Sequence, residues 1–108
     1  MARPDADQQL AEAAAGTDRL LDHRTRLALC VLLARRDRLS FSRLKDLLQE
    51  TDGSLGAHLR RLEASDYVAV KKEFVERKPV SWYALTPKGR ETLRRHVAAL
   101  EQVLGGLR

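Results

Sequence analysis

Apolar residues at helical spacing dominate the first half of the chain. Residues 7–15 are good helix formers, and a glycine ends the run. A longer apolar series then predicts a second helix over residues 17–36, capped by Thr17 or Asp18. Its segment 27–34 is apolar on nearly every side, which is typical of a central buried helix.

Two short helices joined by a tight turn are predicted next. Leu39 forms a short strand before them, and Ser40 is a suitable N-cap for a helix over residues 41–48. A Thr-Asp-Gly turn leads into a helix over residues 54–64, in which three leucines form one buried stripe: Leu55, Leu59 and Leu62. The arrangement predicts a helix-turn-helix over residues 40–64.

The apolar period changes to two after the second of these helices. Residues 67–75 and 80–85 mix β-branched and aromatic residues with polar ones, and a polar turn over residues 76–79 joins them. The pattern predicts a β-hairpin with a charged tip over residues 67–85. Asp66 is expected to end the preceding helix in the left-handed conformation, which aspartate tolerates.

A last helix is predicted over residues 87–104, with Thr86 as N-cap and a proline at its first position. Five apolar residues recur with spacings of 4, 3, 4 and 3, the rhythm of a coiled-coil seam: Leu93, Val97, Leu100, Leu104 and Leu107. Together with Leu10 of the N-terminal segment 1–16, this seam predicts a homodimer interface. The alternative is that the stripe packs on its own domain.

Length and charge narrow the class of partner. The 108 residues suit one domain, residues 1–108, with a formal net charge of +5. Residues 51–90 carry eight basic and five acidic residues, which permits a nucleic-acid partner.

The single Cys30 excludes an intrachain disulfide and is predicted to be a small buried hydrophobe. No apolar run reaches the ~18 residues of a membrane span and the N-terminus has no apolar signal core, so the cytoplasm is expected.

The helix over residues 54–64 has the properties of a DNA recognition helix. A major groove about 12 Å wide admits one helix, whose back must be apolar and whose front must be small or rich in donors. DNA contacts are predicted from the helix-turn-helix and from the hairpin: Ser42, Arg43, Gly53, Ser54, Ala57, His58, Arg60, Arg61, Lys71, Lys72, Arg77 and Lys78.

The adjacent Arg60 and Arg61 point about 100° apart on a helix, so only one of them is expected to face the groove. Arg61 is predicted to contact bases or backbone. Arg60 is predicted to contact a phosphate or to pair with Glu63 or Glu50. For His58, an exposed position without a role is the alternative to a groove contact.

Three runs are informative in combination: TDGSLGAHLRRLE at residues 51–63, YV at residues 67–68 and YALTPKGR at residues 83–90. Through them, residues from about 20 to 104 resemble the winged-helix regulators of the MarR/ArsR-like group, and above all its small single-domain subfamily. It implies an α+β, mostly helical winged helix-turn-helix with additional N- and C-terminal dimerisation helices. It also implies a homodimer on a palindromic operator in double-stranded DNA, without a cofactor.

Two residues depart from that family pattern. Ser54 stands where such sequences often have asparagine, which changes the expected base preference. Asp66 stands where a glycine usually ends the recognition helix. The expected mechanism is steric: a bound dimer blocks a promoter, so repression is favoured over activation.

Other functions have weaker support in the sequence. A Gly-rich phosphate loop, a nucleophile motif and paired carboxylates are all missing, so an enzyme is not expected. His23, His58, His96 and Cys30 lack the spacing of a metal site, although a site shared by His23 and His96 across a dimer stays open. A small-molecule effector between the dimer helices and the DNA-binding lobe also stays open. The alternative functions are a winged-helix protein-interaction module and a non-specific chromosome-binding protein.

Overall fold

The computed structural model describes residues 5–108 and contains, in that range, five helices and a three-stranded antiparallel sheet. The helices are α1 (Ala6–Ala15), α2 (Arg24–Ala34), α3 (Phe41–Leu48), α4 (Asp52–Ala64) and α5 (Pro87–Gly105), and the strands are β1 (Leu39–Ser40), β2 (Val68–Val75) and β3 (Lys78–Leu85). The predicted α+β winged helix-turn-helix with extra terminal helices is therefore confirmed. For the start of the chain, residues 1–4 lie outside the described residues.

Side-chain caps fix where the helices of the predicted DNA-binding lobe begin. The hydroxyl of Ser40 accepts from the N–H of Arg43 at 3.1 Å at the start of α3. Thr51 caps α4 in the same way through the N–H of Ser54, also at 3.1 Å. Because Thr51 is the cap, α4 begins at Asp52, two residues earlier than predicted.

The second helix begins later than the sequence pattern predicts, at Arg24 instead of near residue 17. The carboxylate of Asp18 accepts from the N–H groups of Leu20 and Leu21, at 2.9 and 3.2 Å, and so closes a turn. The helix itself is capped by the ring nitrogen of His23. Asp18 therefore has the predicted capping chemistry, but it caps a turn that precedes the helix.

The core joins α2, the helix-turn-helix and the start of α5. Its fully buried hydrophobic side chains are the predicted leucine stripe of α4 together with residues of α2, α3 and the turn before α2: Leu21, Leu29, Cys30, Leu33, Leu44, Leu55, Leu59 and Leu62. Cys30 is a buried side chain, as predicted. Its burial raises the pKa of the thiol to about 12, so the group stays in its uncharged form.

The second strand of the hairpin is longer and the turn tighter than predicted. Strand order is β1-β3-β2, and β2 pairs with β3 up to Val75 opposite Lys78. Only Glu76 and Arg77 form the loop, with φ of 51° and 65°, which is typical of the two-residue turns that match the twist of the strands. Pro79 thus lies in β3, where its missing N–H costs no ladder bond because the register turns that position away from β2.

A close approach holds the hairpin against α5. A Cβ atom at Gly89 would collide with the backbone carbonyl of Tyr67, so that only glycine fits there. Asp66, directly before the hairpin, has φ of 60°, the left-handed conformation expected from the sequence.

The molecule is elongated because α1 packs on the distal part of α5 as an arm. The radius of gyration is 16.7 Å, whereas a compact chain of this length has about 13 Å. Within the arm, Ala13 and Ala99 are the buried small residues at which the two helices meet. In the described part of the chain, no helix is long and apolar enough to cross a membrane.

Candidate nucleic-acid interface

The outward face of α4 is small at its beginning and cationic towards its end. Leu55, Leu59 and Leu62 are at most 1% exposed, so they fix which side of the helix faces the core. At 100° per residue, the opposite side carries small residues and two arginines: Gly53, Ser54, Ala57, Arg60, Arg61 and Ala64. Small side chains at the N-terminal end let the backbone approach a groove closely, and the helix dipole there favours phosphate.

Both arginines of α4 are exposed, and they flank the centre of the outward face by roughly 50° on either side. The predicted pairing of Arg60 with Glu50 or Glu63 is not formed, and across residues 5–108 neither Arg60 nor Arg61 has an ion-pair partner. Both guanidinium groups are thus available to an anionic ligand, and which of them faces a groove stays a prediction.

Two contacts near α4 explain why Arg60 does not pair with Glu50. Its guanidinium lies over Gly56, where a Cβ atom would be 3.1 Å from Nη1. Glu50 is used elsewhere, since its carboxylate accepts from the hydroxyl of Thr25 at 2.9 Å. Hydrogen bonds from Ser54 and Thr25 lower the pKa of Glu50 below its usual range.

His58 is turned away from the outward face. Its Nδ1 lies 3.1 Å from Nη1 of Arg26, and its ring centroid lies 4.6 Å from that of His23. Arginine can only donate, so His58 accepts through Nδ1 and is neutral. Burial first, and then the charges of His23 and Arg26, lower the pKa of His58. The side chain of His58 therefore packs against α2, and this geometry does not support its predicted groove contact.

The hairpin places its two adjacent lysines on opposite faces. Lys72 shares a face with Val68 and Val70, the face that packs on the helices, whereas Lys71 lies on the far face. There Nζ of Lys71 is 3.3 Å from the carboxylate of Glu73, which Arg38 also approaches to 3.4 Å. The bond from Lys71 and the charge of Arg38 lower the pKa of Glu73.

The remaining hairpin cations divide in the same way. Arg77 is exposed in the two-residue loop, at the end of the hairpin. Lys78 pairs with Val75 and therefore lies on the far face with Lys71. Lys72 and Arg77 are the hairpin cations best placed to act together with α4.

Helix α3 presents Ser42 and Arg43, both exposed, beside its N-terminus. Arg43 borders a shallow cleft that it shares with Arg35 and Arg36 at the end of α2. In the sequence this arginine pair marks only a helix end, and its clustering with Arg43 cannot be seen there because it depends on how α2 packs on α3.

Other cations near the site are structural. Nζ of Lys45 in α3 lies 2.9 Å from the carboxylate of Asp52 and so bridges the turn between the two helices. The guanidinium of Arg38 lies 4.0 Å above the Trp82 ring, a cation–π contact that covers the far face of the sheet. These two cations are therefore engaged within the chain, unlike Arg60 and Arg61.

The predicted dimer seam divides into a buried and an exposed part. Leu93 is 7% exposed in the single chain and Val97 packs beside it, so both belong to the core of their own protomer. The alternative raised by the sequence is correct for these two residues. Leu100 is half-buried, and the exposed apolar residues of the arm are Leu10 (38%), Leu104 (54%) and Leu107 (90%).

The histidines considered for metal binding serve as hydrogen-bond acceptors. His96 is 1% exposed and accepts from the N–H of Asp18 at 2.9 Å, while His23 caps α2. Over residues 5–108, no group of three or more His, Cys, Asp or Glu is placed to hold a metal ion. His96 borders a cleft of about 340 Å³, lined also by Tyr67, Lys88 and Arg95, which lies between the arm and the lobe, the place at which the sequence left an effector open.

Comparison with known proteins defines the class. The sequence profile of the family described as "Winged helix DNA-binding domain" matches residues 25–104. An uncharacterized protein of Methanocaldococcus jannaschii is 30% identical over 78 residues, which cover 72% of this chain and 85% of that protein. The chain belongs to the family of winged helix DNA-binding domains.

Solved structures place the chain beside transcriptional regulators. The transcriptional regulator homologue from Pyrococcus horikoshii OT3 superposes with a TM-score of 0.81 at 29% identity, covering 92% of this chain and 96% of that one. ZitR of Lactococcus lactis, described as a zinc-responsive MarR family member, shares the fold with a TM-score of 0.58 at 20% identity, covering 75% of this chain and 55% of ZitR. A ZitR mutant has also been solved in complex with DNA. Family and fold are those of a DNA-binding regulator.

Proposed function

We propose that this protein is a sequence-specific, dimeric DNA-binding repressor that occupies a palindromic operator. The observation that carries the proposal is the outward face of α4, which combines small residues at its start with two arginines that form no ion pair within residues 5–108. A helix with this face, held from behind by a buried leucine stripe, suits the major groove. The fold shared with ZitR, which has been solved on DNA, supports the same assignment.

The hairpin supplies the second part of the contact. With α4 in the major groove, Lys72 and Arg77 meet the neighbouring phosphates, whereas Lys71 is held by Glu73 on the far face. Ser42 and Arg43 at the start of α3 add contacts to the backbone on the other side of α4. Phosphate contacts of this kind position the protein, and the α4 side chains carry the sequence preference.

Dimerisation through the arm supports the palindromic operator. The arm protrudes from the lobe and exposes Leu10, Leu104 and Leu107, which a second copy would bury. A two-fold dimer presents two copies of α4 to half-sites about one helical turn apart. Such a dimer covers a promoter and represses by exclusion of the transcription machinery.

A binding titration tests the proposal. The DNA upstream of the protein's own gene is compared with scrambled DNA of equal length at two salt concentrations. Sequence-selective binding with a steep salt dependence is the expected result. Equal tight binding to both DNAs would favour a chromosome-binding protein, and no binding to either would favour a protein-interaction module.

A matched variant checks that the effect of α4 is local. Arg94 in α5 is exposed like Arg61, but Glu91 engages it at 2.6 Å and it lies away from α4. Arg94→Ala is expected to bind the upstream DNA like the wild type. An equal loss for Arg94→Ala and Arg61→Ala would show that net charge, and not the face of α4, determines binding.

A further inference from the structure

The hairpin exposes an aromatic side chain that the protomer does not use. Phe74 is 80% exposed, and among the large apolar residues of the described chain only Leu107 at the C-terminal end is more exposed. The hairpin tip extends beyond the core, which reaches along β2 only to Val68 and, partly, Val70. The ring of Phe74 therefore adds nothing to the packing that stabilises the lobe.

The register fixes which side of the hairpin carries this ring. Side chains two apart along a strand share a face, so Phe74 follows Val68, Val70 and Lys72 on the face turned to the helices. Its cross-strand partner is Pro79, and the two form an apolar pair on that face. The two-residue loop at Glu76 and Arg77 joins the strands directly beyond this pair.

We propose that Phe74, supported by Pro79, is an apolar wedge that enters the minor groove of duplex DNA when α4 occupies the adjacent major groove. Phenylalanine and proline are side chains that minor-groove proteins insert against or between base steps, which kinks the duplex. The inference rests on the proposed function and specifies how the hairpin reads DNA.

The surrounding charges favour a polyanionic groove over another apolar surface. Lys72 and Arg77 flank Phe74, the loop also exposes the carboxylate of Glu76, and Glu73 lies on the far face, where Lys71 and Arg38 engage it. With Lys78 beside them, the cations of the tip outnumber Glu76, so two tips brought together would carry like net charge, which disfavours a contact between two copies. A groove walled by phosphates accepts the cations at its rim and the apolar pair inside.

DNA affinity and its salt dependence distinguish an apolar wedge from a cation that binds phosphate. Because Phe74 is uncharged, its removal weakens binding but leaves the number of counterions released on binding unchanged. The loss of a phosphate-binding cation, in contrast, reduces the slope of log affinity against log salt. The probe is the duplex that the wild-type protein enriches most strongly from random-sequence DNA. Phe74→Ala is expected to bind it about tenfold more weakly at every salt concentration, with the wild-type slope.

Val75→Ala is the matched control because Val75 is exposed (45%) but lies on the opposite face of the same strand. It is expected to bind like the wild type. Donor and acceptor dyes at the two ends of the duplex report bending, and the wild type is expected to bring the ends closer than Phe74→Ala does. Thermal unfolding of all three proteins shows whether each variant is folded.

Four results would overturn the inference. They are unchanged affinity and bending in Phe74→Ala, an equal loss in Val75→Ala, a reduced salt slope in Phe74→Ala, and a changed oligomeric state in Phe74→Ala without DNA. The last of these would assign the tip to a contact between copies. If the wild type enriches no duplex, the proposed function fails as well, whereas selective binding that is indifferent to Phe74 removes the wedge alone.

Discussion

The cationic side chains of this protein differ in whether an acidic side chain of the same protein already pairs with them. Arg60 and Arg61 have no ion-pair partner among residues 5–108, while Lys45, Lys71 and Arg94 are engaged by acids. The sequence predicted both arginines of α4 as ligands of DNA and left a pairing of Arg60 with Glu63 or Glu50 open, because the path of its side chain over Gly56 cannot be read from spacing. The sequence likewise placed His58 on the outward face. Its contact with Arg26 joins two helices, and the spacing of residues along one helix does not reveal such a contact.

For the two arginines of α4 we predict separate losses of DNA affinity. Arg61→Ala is expected to weaken specific binding by about 1–3 kcal/mol if it reads a base, and Arg60→Ala is expected to act in the same direction. Titration of the selected duplex, and of duplexes changed at single base pairs, measures both. Wild-type affinity in both variants would show that the outward face of α4 does not contact DNA.

For His58 we predict a pH-dependent contribution to stability. Its folded-state pKa is lowered, so the unfolded chain binds the proton more tightly, and stability is lost as pH falls from about 6.5 through the folded pKa. Its neighbours Arg26 and His23 from the α2 side and Arg61 on α4 oppose protonation, and Glu50 favours it. Between pH 7 and 5, His58→Gln is expected to lose less stability than the wild type in chemical denaturation. An identical pH dependence would contradict the assignment.

At the scale of elements, local chemistry predicted the helix-turn-helix and the last helix well. Two kinds of feature can be recognised directly in the sequence: the helix caps at Ser40, Thr51 and Thr86, and the leucine stripe of α4. The start of α2 was missed because Asp18 can cap a turn as well as a helix, and only the tertiary contacts of the turn decide between them. The hairpin turn was placed too widely because Pro79 is typical of turns but is tolerated on the open side of β3.

The two faces of the hairpin lead to a prediction about adjacent lysines. Lys72→Ala is expected to reduce the slope of log affinity against log salt by about 0.9, the value for one phosphate contact. Lys71→Ala removes an equal charge from the far face, where Glu73 engages it, and is expected to leave the slope nearly unchanged. Equal effects of the two variants would mean that the hairpin acts by net charge and not through one face.

At the scale of the whole molecule, the elongated shape is the feature that the sequence did not reveal. The coiled-coil spacing in α5 suggested a seam of five residues, but its first two, Leu93 and Val97, complete the core of the lobe. Residues further along α5 lie on the arm, where α1 covers only part of the helix. Periodicity reports one apolar face, and the fold decides which part of it remains exposed.

For the arm we predict that dimerisation depends on its exposed leucines. The double variant Leu104→Glu and Leu107→Glu is expected to be monomeric in sedimentation velocity, because a second copy would have to bury two unpaired carboxylates. Val31→Glu alters a residue on α2 that is 40% exposed outside the arm, and it is expected to remain dimeric. A dimer that survives the double variant would exclude the arm as the interface.

The most direct test of the account is selection of binding sites from random-sequence DNA by the wild-type protein. A dimer that presents two copies of α4 is expected to enrich an inverted repeat, with half-site centres about 10 base pairs or one helical turn apart. Enrichment of a single asymmetric motif would contradict the dimer, and the absence of any enriched sequence would contradict sequence-specific recognition by α4.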